Sequence, residues 1–241
     1  MNPTCRLLLT IWLTTFCIGV PAAEVINAGI GGNRSHNLLS RLDRDVLAKK
    51  PSVVVIMVGT NDRLNSGGFT KPETYRKNVE ALVDRIQSAG AKVLLITPPP
   101  CVAELLFTRH DPQKFADQSP AERMEEVRGI VIRIAKAKQT GLLDFHRYLV
   151  EKKLGDDRET SLLRVPKNSG RTDGVHLTSE GYQRLANLVA KTLRASKFDT
   201  RRVVCLGDSI TQGPTKEGAK TVTGPNYPAY LNQMLNPQTT P

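Results

Sequence analysis

Six consecutive apolar residues, Val53-Val54-Val55-Ile56-Met57-Val58, constrain this chain more than any other feature. A strand with one face in water alternates apolar and polar residues. An unbroken, mostly β-branched run suits a strand covered on both faces, as in a parallel sheet flanked by helices. Val93–Ile96, Leu142–Phe145 and Val203–Leu206 are shorter runs of the same kind, and Val25-Ile26-Asn27 starts another. Helical patterns lie between them. Thr70-Lys71-Pro72-Glu73 and Ser119-Pro120-Ala121-Glu122 both read as capping boxes. The first precedes an apolar stripe of Tyr75, Val79, Leu82, Val83 and Ile86 that ends at Gly90, and the second opens a helix reaching about Lys138. Thr178 is placed to cap a helix with the stripe Tyr182, Leu185, Ala186, Val189 and Leu193. Alternating strands and helices predict an α/β fold, a three-layer αβα sandwich around a parallel sheet of about five strands.

The 241 residues suffice for one sizeable core. Residues 1–23 read as a signal peptide. Arg6 gives a positive start, Leu7 to Val20 an apolar stretch, and Pro21-Ala22-Ala23 the small residues of a cleavage site. The stretch is shorter than the ~20 apolar residues of a membrane span and is interrupted by Thr10, Thr14 and Thr15. Cys17 follows Thr-Thr-Phe rather than the small and aliphatic residues of a lipidation site. The expectation is a secreted or periplasmic protein without stable membrane insertion, with residues 24–241 forming a single domain. Cys101 and Cys205 then remain, and are expected as free thiols. The net charge of +11 is spread over the chain, with short clusters at Lys49-Lys50 and Arg201-Arg202. It suits a solvated basic surface with some attraction to anionic polymers. Only 5% of residues are aromatic, and no nucleic-acid-binding motif is present, so nucleic acid is not an expected partner. Oligomeric state is not legible.

In a parallel sheet, ligands bind beyond the carboxyl ends of the strands, and polar clusters follow the apolar runs here. The run Val203–Leu206 ends in Gly207-Asp208-Ser209, which presents a serine at the sheet edge. A serine hydroxyl needs a base to act as a nucleophile. The segment Asp173-Gly174-Val175-His176 contains a histidine with a carboxylate three residues before it. A helix-entry aspartate also commonly caps backbone amides. Gly59-Thr60-Asn61-Asp62 offers a side-chain amide, and Gly31-Gly32-Asn33 a backbone N–H, for a developing oxyanion. Each is equally compatible with a turn. Arg34 and Arg63 follow these loops and are candidate substrate contacts. Asp208 is expected to fix the turn around Ser209, and Asp62 to support its own loop. His36, His110 and His146 lack ligand-like spacing, and His146 is expected to be a structural or surface residue at a strand end.

Together these blocks resemble the SGNH, or GDSL-type, hydrolase family, and the resemblance covers nearly all of residues 24–241. It implies a flavodoxin-like sheet and acyl transfer without metal or cofactor. Ser209 would be nucleophile and first oxyanion donor, Gly32 and Asn61 the other two donors, His176 the base and Asp173 the acid. Asp173–Thr178 with Gly181-Tyr182 adds to the match. The order departs from the family, whose serine block comes first. Here it comes last, at 203–213. Reading 24–195 after 203–241 restores the family order, as in a circular permutant, with Val203–Leu206 inserted between the Val25 and Val53 strands. The rival is a tandem pair truncated in its second unit. The implied substrate is an ester, small or polysaccharide-borne, with acetyl groups on carbohydrate favoured. A lipid-directed acylhydrolase and a non-catalytic carbohydrate-binding protein are the alternatives.

Overall fold

The computed structural model describes residues 22–214 and 218–237. The leader at 1–23 falls almost wholly outside them. Five parallel strands form one sheet: β1 Glu24–Gly29, β2 Val53–Met57, β3 Lys92–Ile96, β4 Gly141–Leu143 and β5 Arg202–Gly207. Their spatial order is β1-β5-β2-β3-β4. The last strand in sequence is thus an interior strand, with Val203 opposite Val25 on one side and Val53 on the other.

Strand side chains alternate between faces, and that period divides the core in two. Val53, Val55 and Met57 of β2, with Val203 and Cys205 of β5, face Phe145, Tyr182, Leu185, Val189, Tyr227 and Leu231. Those residues lie on the helices Phe145–Glu151, Ser179–Ala195 and Tyr227–Leu235. Val54, Ile56, Val204 and Leu206 face the opposite layer, which includes Leu38, Tyr75, Val79, Leu82 and Val127. That layer comprises the helices Ser35–Ser40, Pro72–Ser88 and Pro120–Ala137. All five residues of β2 are buried. Each aliphatic side chain removed from water contributes ~1.5–3 kcal/mol before entropy is counted, so both faces hold the central strands.

The capping expectations divide. Ser119 accepts from the Glu122 N–H, and the Glu122 carboxylate accepts from the Ser119 N–H at 2.8 Å, a reciprocal cap. Thr178 accepts from Gly181 at 3.0 Å. Thr70 does not cap. Lys71 is the N-cap residue of the Pro72–Ser88 helix, without a side-chain bond, because Thr70 is turned to the Asn61 loop. Its N–H donates to the Asp62 carbonyl at 2.8 Å, and its own carbonyl accepts from Arg63. The run Leu142–Phe145 is a strand only to Leu143. The Asp144 carboxylate accepts from the Arg147 N–H and starts a helix, so His146 lies in a helix rather than at a strand end.

The first and last stretches of the described residues meet beside β1. The Asn236 side chain exchanges two 2.7 Å hydrogen bonds with the backbone of Ala23. The Glu24 N–H donates to the Arg201 carbonyl at 2.9 Å.

Candidate active site

At the carboxyl edge, β5 ends at Gly207 and the chain turns into the short helix Ser209–Gln212. Asp208 shapes that turn, as expected. Its carboxylate accepts from the Ile210 N–H at 2.9 Å and is 1% exposed. Burial pushes the Asp208 pKa up to about 6, with the nearby charge of Asp62 adding to the rise and the Ile210 N–H and His176 opposing it. Ser209 itself is half-buried.

His176 enters from the loop ahead of the Ser179–Ala195 helix. Its carbonyl accepts from the Arg164 N–H at 2.8 Å, and two residues earlier Gly174 bonds to Arg164 and Val102. Gly174 has φ +71°, and a Cβ there would stand 2.8 Å from Leu105 Cβ. Only glycine lets the loop pass this close. Asp173 accepts from the backbone N–H groups of Val175 and His176 at 3.1 Å. One Asp173 oxygen lies 2.9 Å from His176 Nδ1. A carboxylate can only accept, so Nδ1 carries the proton and Nε2 presents its lone pair. That Nε2 is 2.9 Å from Ser209 Oγ. Burial works against the Asp173 charge, but the hydrogen bonds it accepts from His176 and the charge of Arg109 outweigh it. The carboxyl is held well below the usual carboxylate range.

Arg109 had no signal in the sequence. It donates to Asp173 Oδ1 at 3.3 Å and to the Thr172 carbonyl at 3.2 Å. Such a contact depends on a loop more than sixty residues away in sequence, and no local pattern announces it.

Two more loops converge here. Gly31 and Gly32 are exposed. A Cβ on Gly31 would lie 3.8 Å from Ser209 Cβ, and the Gly31 N–H donates to Gln212 Oε1. Gly32 has φ +76°. Asn61 donates one amide hydrogen to the Asn33 carbonyl at 3.1 Å, which ties the two loops together and leaves its second amide hydrogen for another acceptor. Asp62 reaches beyond its own loop. Fully buried, it accepts from the Ser35 N–H at 2.9 Å and the Ser35 hydroxyl at 2.7 Å, and Asn78 donates to that hydroxyl. Arg41 donates to the Gly207 carbonyl and the Asn33 side chain. Asp62, Asn78 and Arg41 thus lock the glycine loop to β5 and to the asparagine loop.

Arg34 is half-buried; burial raises the Asp62 pKa, and hydrogen bonds from Ser35 and the Arg34 charge oppose that rise. Arg63, a candidate substrate contact from its position after the asparagine loop, is held by protein partners. It is 6% exposed and spends its donors on Glu126 at 2.7 Å, Gln118 at 2.6 Å and the Thr70 carbonyl at 3.1 Å. A buried guanidinium must be paired, and these partners meet that need. His146 is 6% exposed and 3.5 Å from Glu125, and burial lowers its pKa. His110 meets Ser66 at 3.0 Å, and His36 is exposed. Cys101 and Cys205 are both free thiols, each pushed up to about 12 by burial. Among the described residues no cluster of three metal-ligating side chains occurs, and no helix is long and apolar enough to cross a membrane.

The arrangement is therefore a hydroxyl, an imidazole and a carboxylate in line, beside two loops that supply hydrogen-bond donors. Residues 10–184 match the GDSL-like Lipase/Acylhydrolase family, a match that ends ahead of the serine block. An uncharacterized lipoprotein, YqeF, of Bacillus subtilis is 27% identical over 173 residues, covering 66% of this chain and 68% of that one. The acetyl xylan esterase AlAXEase has a TM-score of 0.52 at 26% identity, over 69% of this chain and 79% of that chain. The lipase/acylhydrolase from Enterococcus faecalis has a TM-score of 0.54 at 23% identity, over 70% and 74%, and shares the fold. With well over half of its length matched, this chain belongs to the GDSL-like lipase/acylhydrolase family, a family of ester-hydrolysing enzymes.

Proposed function

We propose that this protein is an exported serine esterase that removes acetyl or other small acyl groups from carbohydrate. One observation carries the esterase mechanism: Ser209 Oγ, His176 and Asp173 are linked by two successive contacts of 2.9 Å. In the first step Ser209 Oγ bonds to the ester carbonyl carbon while its proton passes to His176 Nε2. The tetrahedral oxyanion is met by the N–H groups of Ser209 and Gly32 and by the Asn61 amide. Collapse breaks the carbon–oxygen bond to the alcohol, which leaves with the proton from His176. Water then attacks the acyl-enzyme, giving its proton to His176, and the released serine recovers it. Asp173 holds the imidazole in the required tautomer throughout, and no cofactor is called upon.

Acetyl-carbohydrate specificity draws support from the acetyl xylan esterase among similar structures. Export draws support from the leader-like residues 1–23 and from a relative named as a lipoprotein. The block order reads as a circular permutation. β5 lies between β1 and β2, Asn236 is hydrogen-bonded to Ala23 just ahead of β1, and each block occurs once in the sequence.

The test is labelling of the full chain with a fluorophosphonate, beside turnover of p-nitrophenyl acetate, p-nitrophenyl palmitate and acetylated xylo-oligosaccharides. Adduct on the Ser209 peptide and preference for acetyl esters are expected, with turnover abolished in Ser209→Ala. Full turnover in Ser209→Ala would refute the nucleophile. Preference for palmitate would refute the carbohydrate assignment, and absence of both labelling and turnover would point to a binding protein.

A further inference from the structure

The two basic clusters of the sequence, Lys49-Lys50 and Arg201-Arg202, meet at the amino edge of the sheet, where Arg202 donates to the Lys49 carbonyl at 2.9 Å. Beside them opens a cleft of about 890 Å³, bounded in part by Lys50, Ser52, Lys92, Lys197, Phe198 and Arg201. Arg201 is neutralised by Asp199 at 2.7 Å, and Arg202 by Glu24 at 2.6 Å. Lys50, Lys92 and Lys197 are exposed and, among the described residues, have no carboxylate partner. Three uncompensated cations therefore share one concave surface.

The backbone offers a way to test two of these side chains. Lys50 (φ 51°) and Lys197 (φ 52°) are both left-handed, each where the chain leaves a helical turn. Glycine is the usual residue at such a position. A side chain with a Cβ costs about 1 kcal/mol there. Two of the three free lysines thus occupy positions where glycine would be more stable, and both lie on the cleft. Gln139, Lys153 and Lys220 share this conformation away from the cleft, so what marks the cleft is the unpaired charge of its lysines, and the backbone supplies only a substitution that removes two of them without strain.

We propose that this cleft docks a carboxylate-bearing polysaccharide, a polyuronate, and holds the enzyme on its substrate material. The choice of a polysaccharide rests on the carbohydrate-ester reading above, whereas the anion site does not. Ammonium groups are point charges without a fixed fork geometry, which suits a flexible polymer. The concave wall fits a single chain better than a flat bilayer. Phe198 offers one apolar face to a sugar ring, and one ring is too few to stack successive bases. The cleft and Ser209 lie at opposite ends of β5, about 20 Å apart at ~3.3 Å per residue. The cleft is thus a tether that raises local concentration and leaves small-ester chemistry untouched.

The full chain is applied to a polygalacturonate resin and eluted with a NaCl gradient, beside the variant Lys50→Gln/Lys92→Gln/Lys197→Gln. The variant is expected to elute at half the salt or less, with p-nitrophenyl acetate turnover unchanged. Lys50→Gly/Lys197→Gly is expected to lose retention while gaining Tm, which separates binding from folding. Co-elution of the triple variant with the unsubstituted chain would overturn the proposal. So would a lower Tm in the glycine pair, which would give the lysines a packing role. Tighter binding of duplex DNA or phosphatidylglycerol vesicles than of polygalacturonate would also overturn it. Failure of the unsubstituted chain to hydrolyse p-nitrophenyl acetate would refute the esterase reading while leaving the resin result to decide the anion site.

Discussion

The Asn61 side-chain amide donates to the Asn33 carbonyl across 3.1 Å and joins the two loops that flank Ser209. One hydrogen of the amide is thereby fixed, and the direction of the other is fixed with it. An oxyanion donor held before the reaction costs no reorganisation during it. Asn61→Ala is expected to lower kcat by ~10²–10³-fold with little change in KM, because such a donor acts mainly in the transition state. Steady-state kinetics on p-nitrophenyl acetate measure both constants. An unchanged kcat would leave Asn61 as a turn residue.

Asp208 gives a pH-dependent stability with a definite sign. Its folded-state pKa is raised by burial to about 6, from an ordinary value of 3.8. Between those values the folded state binds the proton more tightly, so acid favours folding at this position. The resulting penalty is absent below pH 3.8 and fully present above about pH 6. At ~1.4 kcal/mol per pH unit, it reaches roughly 2–3 kcal/mol at neutral pH. Asp208→Asn keeps an acceptor for the Ile210 N–H and removes the charge. It is expected to be more stable than the unsubstituted protein at pH 7.5, with the difference vanishing near pH 4. Urea unfolding at the two pH values checks this. An Asn variant less stable at pH 7.5 would show that the ionised carboxylate is needed for the turn.

Gly59 stands at the end of β2 with φ +133°, and a Cβ there would lie 2.7 Å from Val127 and 3.0 Å from the Tyr75 hydroxyl. Both neighbours are fully buried, and Tyr75 donates to the Val58 carbonyl. Gly59→Ala combines a forbidden backbone angle with overpacking, and a loss of about 2–4 kcal/mol is expected. Thermal unfolding reads it. Asn61 lies two residues on, so kcat should fall as well. A variant of unchanged Tm would mean that the helix at Val127 yields easily.

The permuted order can be tested by undoing it. A chain beginning at Asp199, running through Pro241 into Glu24 and ending at Phe198 places the serine block first. It is expected to fold and to hydrolyse p-nitrophenyl acetate within a few-fold of the natural order, because Asn236 is already hydrogen-bonded to Ala23, next to the start of β1. Truncation after Thr200 should instead destroy solubility, since β1 and β2 would then face each other across an empty strand position. A soluble truncated chain would favour a tandem remnant.

The sequence by itself determined the five strands and the faces of the long helices, and it singled out the serine, histidine and aspartate that the fold brings into contact. Each depends on local information: burial on both faces demands unbroken apolar runs, helices demand a 3.6-residue period, and Asp173 is only three residues from His176. It also implied where the last strand must insert, because Ser209 has to stand beside Asn61. The tertiary structure decided what depends on partners distant along the chain. Arg63 looked free in its loop, but Glu126 and Gln118 claim it. Thr70 had a cap's spacing, but Asp62 is a nearer acceptor for its N–H. Arg109 on Asp173, Asp62 on Ser35 and the meeting of Lys50 with Lys197 left no trace in composition or period. A charged or polar side chain takes whichever partner the fold brings within about 3 Å, and a single sequence does not encode that distance locally.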